Sequence, residues 1–301
     1  MTPRERYLAV VDDVFTAYGE RRFADGLARL DSVADGLDAW QAELAYHRAC
    51  LLGASGEPGE AIAALQAASA AGGWWDPAVL GDEDDLAALQ GRLDFEALIA
   101  TSATRWEAGQ VLDRSGDILL EPSGPPRGVL VALHGAEEDA SDAVLAWGAA
   151  RDVGLTVLAV RSSRRTSPSY RTWGPDATSA ADLAGALSTH GVEHATPLYV
   201  AGFSAGGRIA IDWALRGRPV PVAGVLAVAP ALSADALPPV HEGRSLDPAR
   251  ILVGAEDDLL DDLRAVAGSL AGAGFRLDVI DGVGHEVPEA RVREALEDLA
   301  G

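Results

Sequence analysis

The chain has 301 residues, of which 48% are hydrophobic and 23% charged. That is a globular balance with room for two domains, and unlike extended disorder. Asp and Glu number 46 against 24 basic residues, all of them Arg, for a net charge of −22; such a surface repels phosphate backbones and anionic lipid, which excludes nucleic-acid and membrane partners from the expected functions.

A single cysteine, Cys50, excludes an intramolecular disulfide and a Cys-based zinc cluster. No run approaches the ~20 apolar residues that cross a bilayer. The opening Met1-Thr2-Pro3-Arg4-Glu5-Arg6 lacks a secretory pattern, so the cytoplasm is the expected location.

Residues 1–104 read as an all-α domain. Thr2 is an N-cap candidate ahead of Pro3, and Tyr7, Val10, Val11, Val14 and Phe15 fall at helical spacing before a stop at Gly19. Further helices are expected at Phe23–Val33, Asp38–Leu52 and Pro58–Ala71, joined by short Gly-containing turns that imply antiparallel pairs. Gly26, Leu30 and Val33 align with Ala61, Leu65 and Ala68, which resembles the small-residue helix of a tetratricopeptide unit; an ordinary bundle explains them equally. Asp76–Thr104 is expected to close the apolar edge, and Trp74-Trp75 to pack in a core or interface. This domain is expected to dock a protein partner or to cover the pocket of its neighbour.

From residue 105 to 301 the pattern is α/β. Apolar runs at Val129–Leu133, Leu155–Val160, Leu198–Ala201, Val222–Val228, Ile251–Val253 and Phe275–Ile280 alternate with helical segments, which predicts a mostly parallel sheet covered on both faces. The 111–120 region is expected to add an edge strand.

One stretch carries chemistry. In Leu198-Tyr199-Val200-Ala201-Gly202-Phe203-Ser204-Ala205-Gly206-Gly207, an apolar strand runs through Gly-x-Ser-x-Gly into a helix. The glycines permit a tight turn that lifts the Ser204 hydroxyl above the sheet at a helix N-terminus. A serine nucleophile needs a base and the base an orienting acid, in the chain order Ser, acid, His. His285, between the last strand and the last helix, is preferred over His241, which lies in a Pro-rich connection. The acid is expected after the Ile251–Val253 strand, where Gly254-x-x-Asp257 picks Asp257. Asp258 is the alternative acid, otherwise a cap for the next helix, and Glu256 is expected in solvent. The Ala205 N–H and the Ala136 N–H, after Leu133-His134-Gly135, are the candidate oxyanion donors; His134 is expected to be structural.

These motifs, in this order over residues 127–300, resemble the α/β-hydrolases, of the phospholipase/carboxylesterase or dienelactone-hydrolase type. The resemblance implies a cofactor-independent serine esterase or thioesterase that acts through an acyl-enzyme on a small-molecule substrate. It departs from many relatives where Ala136-Glu137-Glu138-Asp139 follows His-Gly in place of another glycine. An aminopeptidase-like hydrolase, or a non-catalytic binding protein on the same scaffold, are the alternatives.

The Ala231–Arg250 connection is too short for a cap domain. Residues 161–173 hold four arginines and no acid, so Arg164 and Arg165 are candidates for a substrate anion, with Tyr170 or Trp173 as an apolar wall. The competing expectation pairs these arginines with the N-terminal domain, where 8 Arg face 19 Asp and Glu through residue 110. Neither metal-ligand spacing nor a phosphate-binding glycine loop occurs, so no metal and no cofactor is expected.

Overall fold

The computed structural model describes residues 2–32, 36–111, 114–174, 176–192, 194, 197–238 and 246–301. They form two compact units. One comprises Met1–Val111 with Arg165–Tyr170, the other Leu112–Arg164 with Arg171–Gly301.

The first unit is helical: α1 (Pro3–Gly19), α2 (Phe23–Asp31), α3 (Gln41–Ala54), α4 (Pro58–Ala70), α5 (Pro77–Gly81) and α6 (Leu93–Gly109). Thr2 caps α1 reciprocally with Glu5, each side chain accepting the other's backbone N–H, an arrangement worth about 1 kcal/mol. Tyr7, Val10, Val11 and Val14 then form its buried face. Gly26, Leu30, Ala61 and Leu65 of the aligned helices are all buried, while Val33 lies outside the described residues. The Leu65, Trp75, Leu80, Leu86 and Phe95 side chains build the main core. Trp75 is fixed there because its Nε1–H donates to the Ala42 carbonyl at 3.1 Å and its backbone brackets the Ser102 hydroxyl. No breaker interrupts the helical pattern until Gly109, so α6 runs through the expected junction at 104/105.

The second unit is a seven-stranded sheet in the order β1-β3-β2-β4-β5-β6-β7. Its strands are β1 (Ile118–Leu120), β2 (Gly128–Leu133), β3 (Leu155–Val160), β4 (Leu198–Phe203), β5 (Gly224–Val228), β6 (Ala249–Gly254) and β7 (Arg276–Ile280). All neighbours are parallel except β1, an antiparallel edge on β3. Strands β2, β3 and β5 are buried along their whole length, and β4 up to its last residue, Phe203, as a sheet covered on both faces requires.

One core joins the sheet to α8 (Asp176–Thr189), α9 (Ser204–Arg216) and α10 (Leu260–Gly272) through Leu183, Ile209, Trp213 and Leu263. The other joins the opposite face to α7 (Ala140–Trp147) and α11 (Glu289–Ala300) through Trp147, Val292 and Leu296. The architecture is a mostly parallel sheet with helices on both faces, preceded in the chain by an all-α region, as expected. Of the 231–250 connection, residues 231–238 and 246–250 are described and hold a single helical turn, Ala234–Ala236, and the start of β6.

Candidate active site

The turn from β4 to α9 is dictated by backbone proximity. A Cβ on Gly206 would meet the His134 and Leu133 carbonyl oxygens at 2.3 and 2.7 Å, and one on Gly202 the Gly206 oxygen at 2.3 Å. Only glycine permits α9 to start this close to the end of β2. Ser204 sits between them at φ 49°, in the left-handed region that a non-glycine residue adopts at an energetic cost. Its hydroxyl therefore projects from the helix N-terminus.

His285 and Asp257 arrive from the two adjacent strand ends. The loops that carry them are stitched by main-chain bonds, Ala255 N–H to Ile280 O at 2.8 Å and Glu256 N–H to Val283 O at 3.0 Å. A Cβ on Gly254 would lie 2.0 Å from the Val283 oxygen, so these loops too require glycine at their contact. The outcome is a continuous chain of polar contacts. His285 Nε2 is 3.0 Å from Ser204 Oγ, and His285 Nδ1 is 3.0 Å from Asp257 Oδ2.

The Asp257 side chain is fully buried, and its other oxygen accepts the Leu259 N–H at 2.9 Å. The His285 side chain stays 41% exposed, open to an incoming molecule, and its ring lies 5.0 Å from that of Phe203. The alternative acid Asp258 is exposed, as is Glu256. His241 lies outside the described residues.

The Ala205 N–H belongs to the first turn of α9, where helix geometry supplies no acceptor. Ala136 is exposed in the turn after β2, whose end pairs with β4 at Leu133 and Gly202. Three features that sequence reasoning missed shape that turn. Glu138 accepts the Gly135 N–H at 2.5 Å, Glu137 donates its N–H to the Arg171 carbonyl at 2.7 Å, and Asp139 binds the Arg161 guanidinium at 2.8–3.0 Å. The one sequence signal for them is Asp139-x-x-Asp142, a capping box that opens α7.

His134 is completely buried, and burial pushes its imidazole down to about 4. It is neutral: Nε2 accepts the Ser162 N–H at 3.3 Å, which leaves Nδ1–H to donate to the Gly135 carbonyl at 2.7 Å.

The expected substrate-binding residues require correction. Tyr170 is 8% exposed within the core of the helical unit, where its hydroxyl is hydrogen-bonded to that of Tyr7. Trp173 is 4% exposed, stacked on His134, with its Nε1–H on the His134 carbonyl. Neither ring is available as a pocket wall, because each serves a core.

Arg164 belongs to the sheet unit and Arg165 to the helical unit. Arg161 and Arg171 of the same segment lie in the sheet unit. Both face Asp139 of the sheet unit, and Arg171 also donates to the Ser162 carbonyl at 2.6 Å.

Residues 6–110 match the family model described as the N-terminal domain of A/B hydrolase-like proteins. Comparison with curated protein sequences gives no match. Among solved structures, an uncharacterized protein from Bacillus cereus ATCC 10987 aligns over 99% of this chain and 98% of its own, at 19% identity and a TM-score of 0.46. A monoacylglycerol lipase from Paleococcus ferrophilus aligns over 61% of this chain and 98% of its own, at 19% identity and a TM-score of 0.48. A carboxylesterase from Bacillus cereus aligns over 62% and 94%, at 16% identity and a TM-score of 0.46. In the sequence of its helical part and the topology of its sheet, the chain resembles the α/β-hydrolases.

Proposed function

We propose that the chain is a serine hydrolase that cleaves carboxylic ester or thioester bonds of a small-molecule substrate. The observation that carries this reading is the unbroken contact chain Ser204 Oγ–His285 Nε2 and His285 Nδ1–Asp257 Oδ2, both at 3.0 Å, beneath a strained serine turn. Ser204 Oγ attacks the acyl carbonyl while its proton passes to His285 Nε2. Asp257 accepts the Nδ1–H and stabilises the imidazolium. The carbonyl oxygen, now negative, takes the Ala205 and Ala136 N–H groups as donors, an interaction whose loss costs 10²–10³ in related chemistry, as an order of magnitude.

His285 returns the proton to the leaving alcohol or thiol, which leaves Ser204 acylated. A water molecule activated by the same imidazole then releases the acid. The rings of Tyr170 and Trp173 are buried and have no part in this reading.

The test is labelling with a fluorophosphonate probe and peptide mapping. Modification confined to the peptide that contains Ser204, and lost in Ser204→Ala, is the expected result. A folded wild-type protein that is neither labelled nor active on p-nitrophenyl acetate refutes the proposal.

A further inference from the structure

The connection between β3 and α8 is a hairpin shared by the two units. Its neck is closed by the Thr172 N–H on the Arg164 carbonyl at 3.0 Å, within the sheet unit. Its tip, Arg165–Tyr170, packs as part of the helical unit. The tip is held from several elements at once. Glu43 of α3 accepts the Ser167 hydroxyl and, at 2.9 Å, the Ser169 N–H. Trp106 of α6 donates its Nε1–H to the Arg165 carbonyl at 2.8 Å, and Gln110 accepts the Arg165 N–H at 2.9 Å. Asp76 donates its N–H to the Thr166 carbonyl at 2.6 Å, and the Tyr7 and Tyr170 hydroxyls are hydrogen-bonded.

Glu43 is 2% exposed, and its second carboxylate oxygen has no hydrogen-bond partner among the described residues. Burying a carboxylate this way opposes folding unless the bonds it accepts are well made. The grip is thus costly to build, and it is placed on a loop that enters the helical unit from the connection between β3 and α8.

The base of the same hairpin surrounds the turn that carries Ala136. Ser162 donates its N–H to His134, Trp173 stacks on the His134 ring and donates to its carbonyl, and the Arg171 carbonyl accepts the Glu137 N–H. Residues on both sides of Ala136 are therefore fixed by the hairpin base, while the hairpin tip is fixed by the helical unit.

We propose that the helical unit is a positioning element for the oxyanion turn, acting through this hairpin, with Glu43 and Tyr7 as its positioning residues. The catalytic part of this inference rests on the function proposed above. Releasing the tip lets the base shift, and a donor displaced from the oxyanion loses part of its effect on the transition state while leaving substrate binding largely unchanged.

The experiment compares full-length wild type with Glu43→Ala, Glu43→Gln and Tyr7→Phe by p-nitrophenyl acetate kinetics and by backbone hydrogen exchange. Glu43→Ala is expected to lower kcat about tenfold or more with KM changed less than about threefold, and to speed exchange at residues 134–139. Glu43→Gln keeps an acceptor oxygen and is expected to restore most of both. Tyr7→Phe keeps the ring, and so serves if Glu43→Ala does not fold.

Tyr46→Phe, which removes a bond to Glu83 elsewhere in the helical unit, is expected to leave kcat and that exchange unchanged. Faster exchange at 165–170 with unchanged exchange at 134–139 overturns the inference, as does an equal loss of kcat in Tyr46→Phe. A wild type without esterase activity or Ser204 labelling refutes the catalytic reading instead, and the exchange of 134–139 then still decides whether the hairpin couples the two segments.

Discussion

Replacing Asp257 with Asn keeps the shape of the side chain and reverses one of its two hydrogen bonds. The Leu259 N–H, 2.9 Å from Oδ1, can only donate, so the Asn carbonyl oxygen must stay on that side. The new NH2 then faces His285 Nδ1, at the 3.0 Å now spanned by the carboxylate bond. Two donors cannot share that contact, so Nδ1 becomes the unprotonated nitrogen and Nε2 carries the hydrogen. In that tautomer Nε2 cannot take the Ser204 proton across its 3.0 Å contact.

The expected loss is about 10⁴ in kcat, equivalent to about 5 kcal/mol at 1.36 kcal/mol per decade. Stability is expected to change by less than about 1 kcal/mol, because the Leu259 bond survives. The assay is p-nitrophenyl acetate turnover alongside urea unfolding and the rate of fluorophosphonate labelling. An Asp257→Asn protein that keeps kcat within about tenfold of wild type refutes both the tautomer argument and the assignment of Asp257.

Three further outcomes follow from the geometry. Gly206→Ala sets a methyl group against two main-chain carbonyls at 2.3 and 2.7 Å and is expected to destabilise by about 2 kcal/mol or more with loss of labelling; an unchanged urea midpoint contradicts this. His47 in α3 is 6% exposed and its Nε2 has no partner among the described residues, and burial pushes its imidazole from 6.5 down to about 4.

Between those values the unfolded chain binds a proton that the folded protein refuses, so stability falls as pH drops from 6.5 toward 4, by about 3 kcal/mol at 1.36 kcal/mol per pH unit. His47→Leu is expected to flatten that slope in urea titrations from pH 7 to 4, leaving the part due to the similarly buried His134; an unaltered slope sinks the assignment. Trp106→Phe removes the bond to the Arg165 carbonyl and is expected to cost about 1 kcal/mol, with faster proteolysis or exchange at 165–170 as the local sign.

Much of the sheet unit was legible because its signals are local. A strand, a glycine-bracketed serine and a helix follow one another without a break from Leu198 to Arg216, and the acid and base expected from chain order lie against them in space. The elements that misled reading are those whose meaning depends on distant partners. An aromatic residue in a loop has the same pattern whether it lines a pocket or fills a core, and the burial of Tyr170 depends on Tyr7, 163 positions away.

The arginines of 161–173 illustrate the same limit. Adjacent residues Arg164 and Arg165 part company between two units, whereas Arg161 and Arg171, ten positions apart, converge on Asp139. Local pattern marks a breaker or a cap, and it does not mark which carboxylate a guanidinium meets. The extension of α6 to Gly109 was hidden for a plainer reason. Thr101, Ser102 and Thr104 lower helix propensity, yet two of their hydroxyls bond back to carbonyls four residues earlier and the helix continues.

The acid and base loops are joined through main-chain atoms, from Ala255 to Ile280 and from Glu256 to Val283. Their separation is thus written into the backbone, and the side chains of Glu256, Asp258, Asp281 and Glu286 at the exposed rim are not needed to set it. The rim can change its charge from one lineage or one round of selection to the next while the proton-transfer geometry stays in place. A protein built this way can change what it admits at its mouth without rebuilding the contacts beneath it.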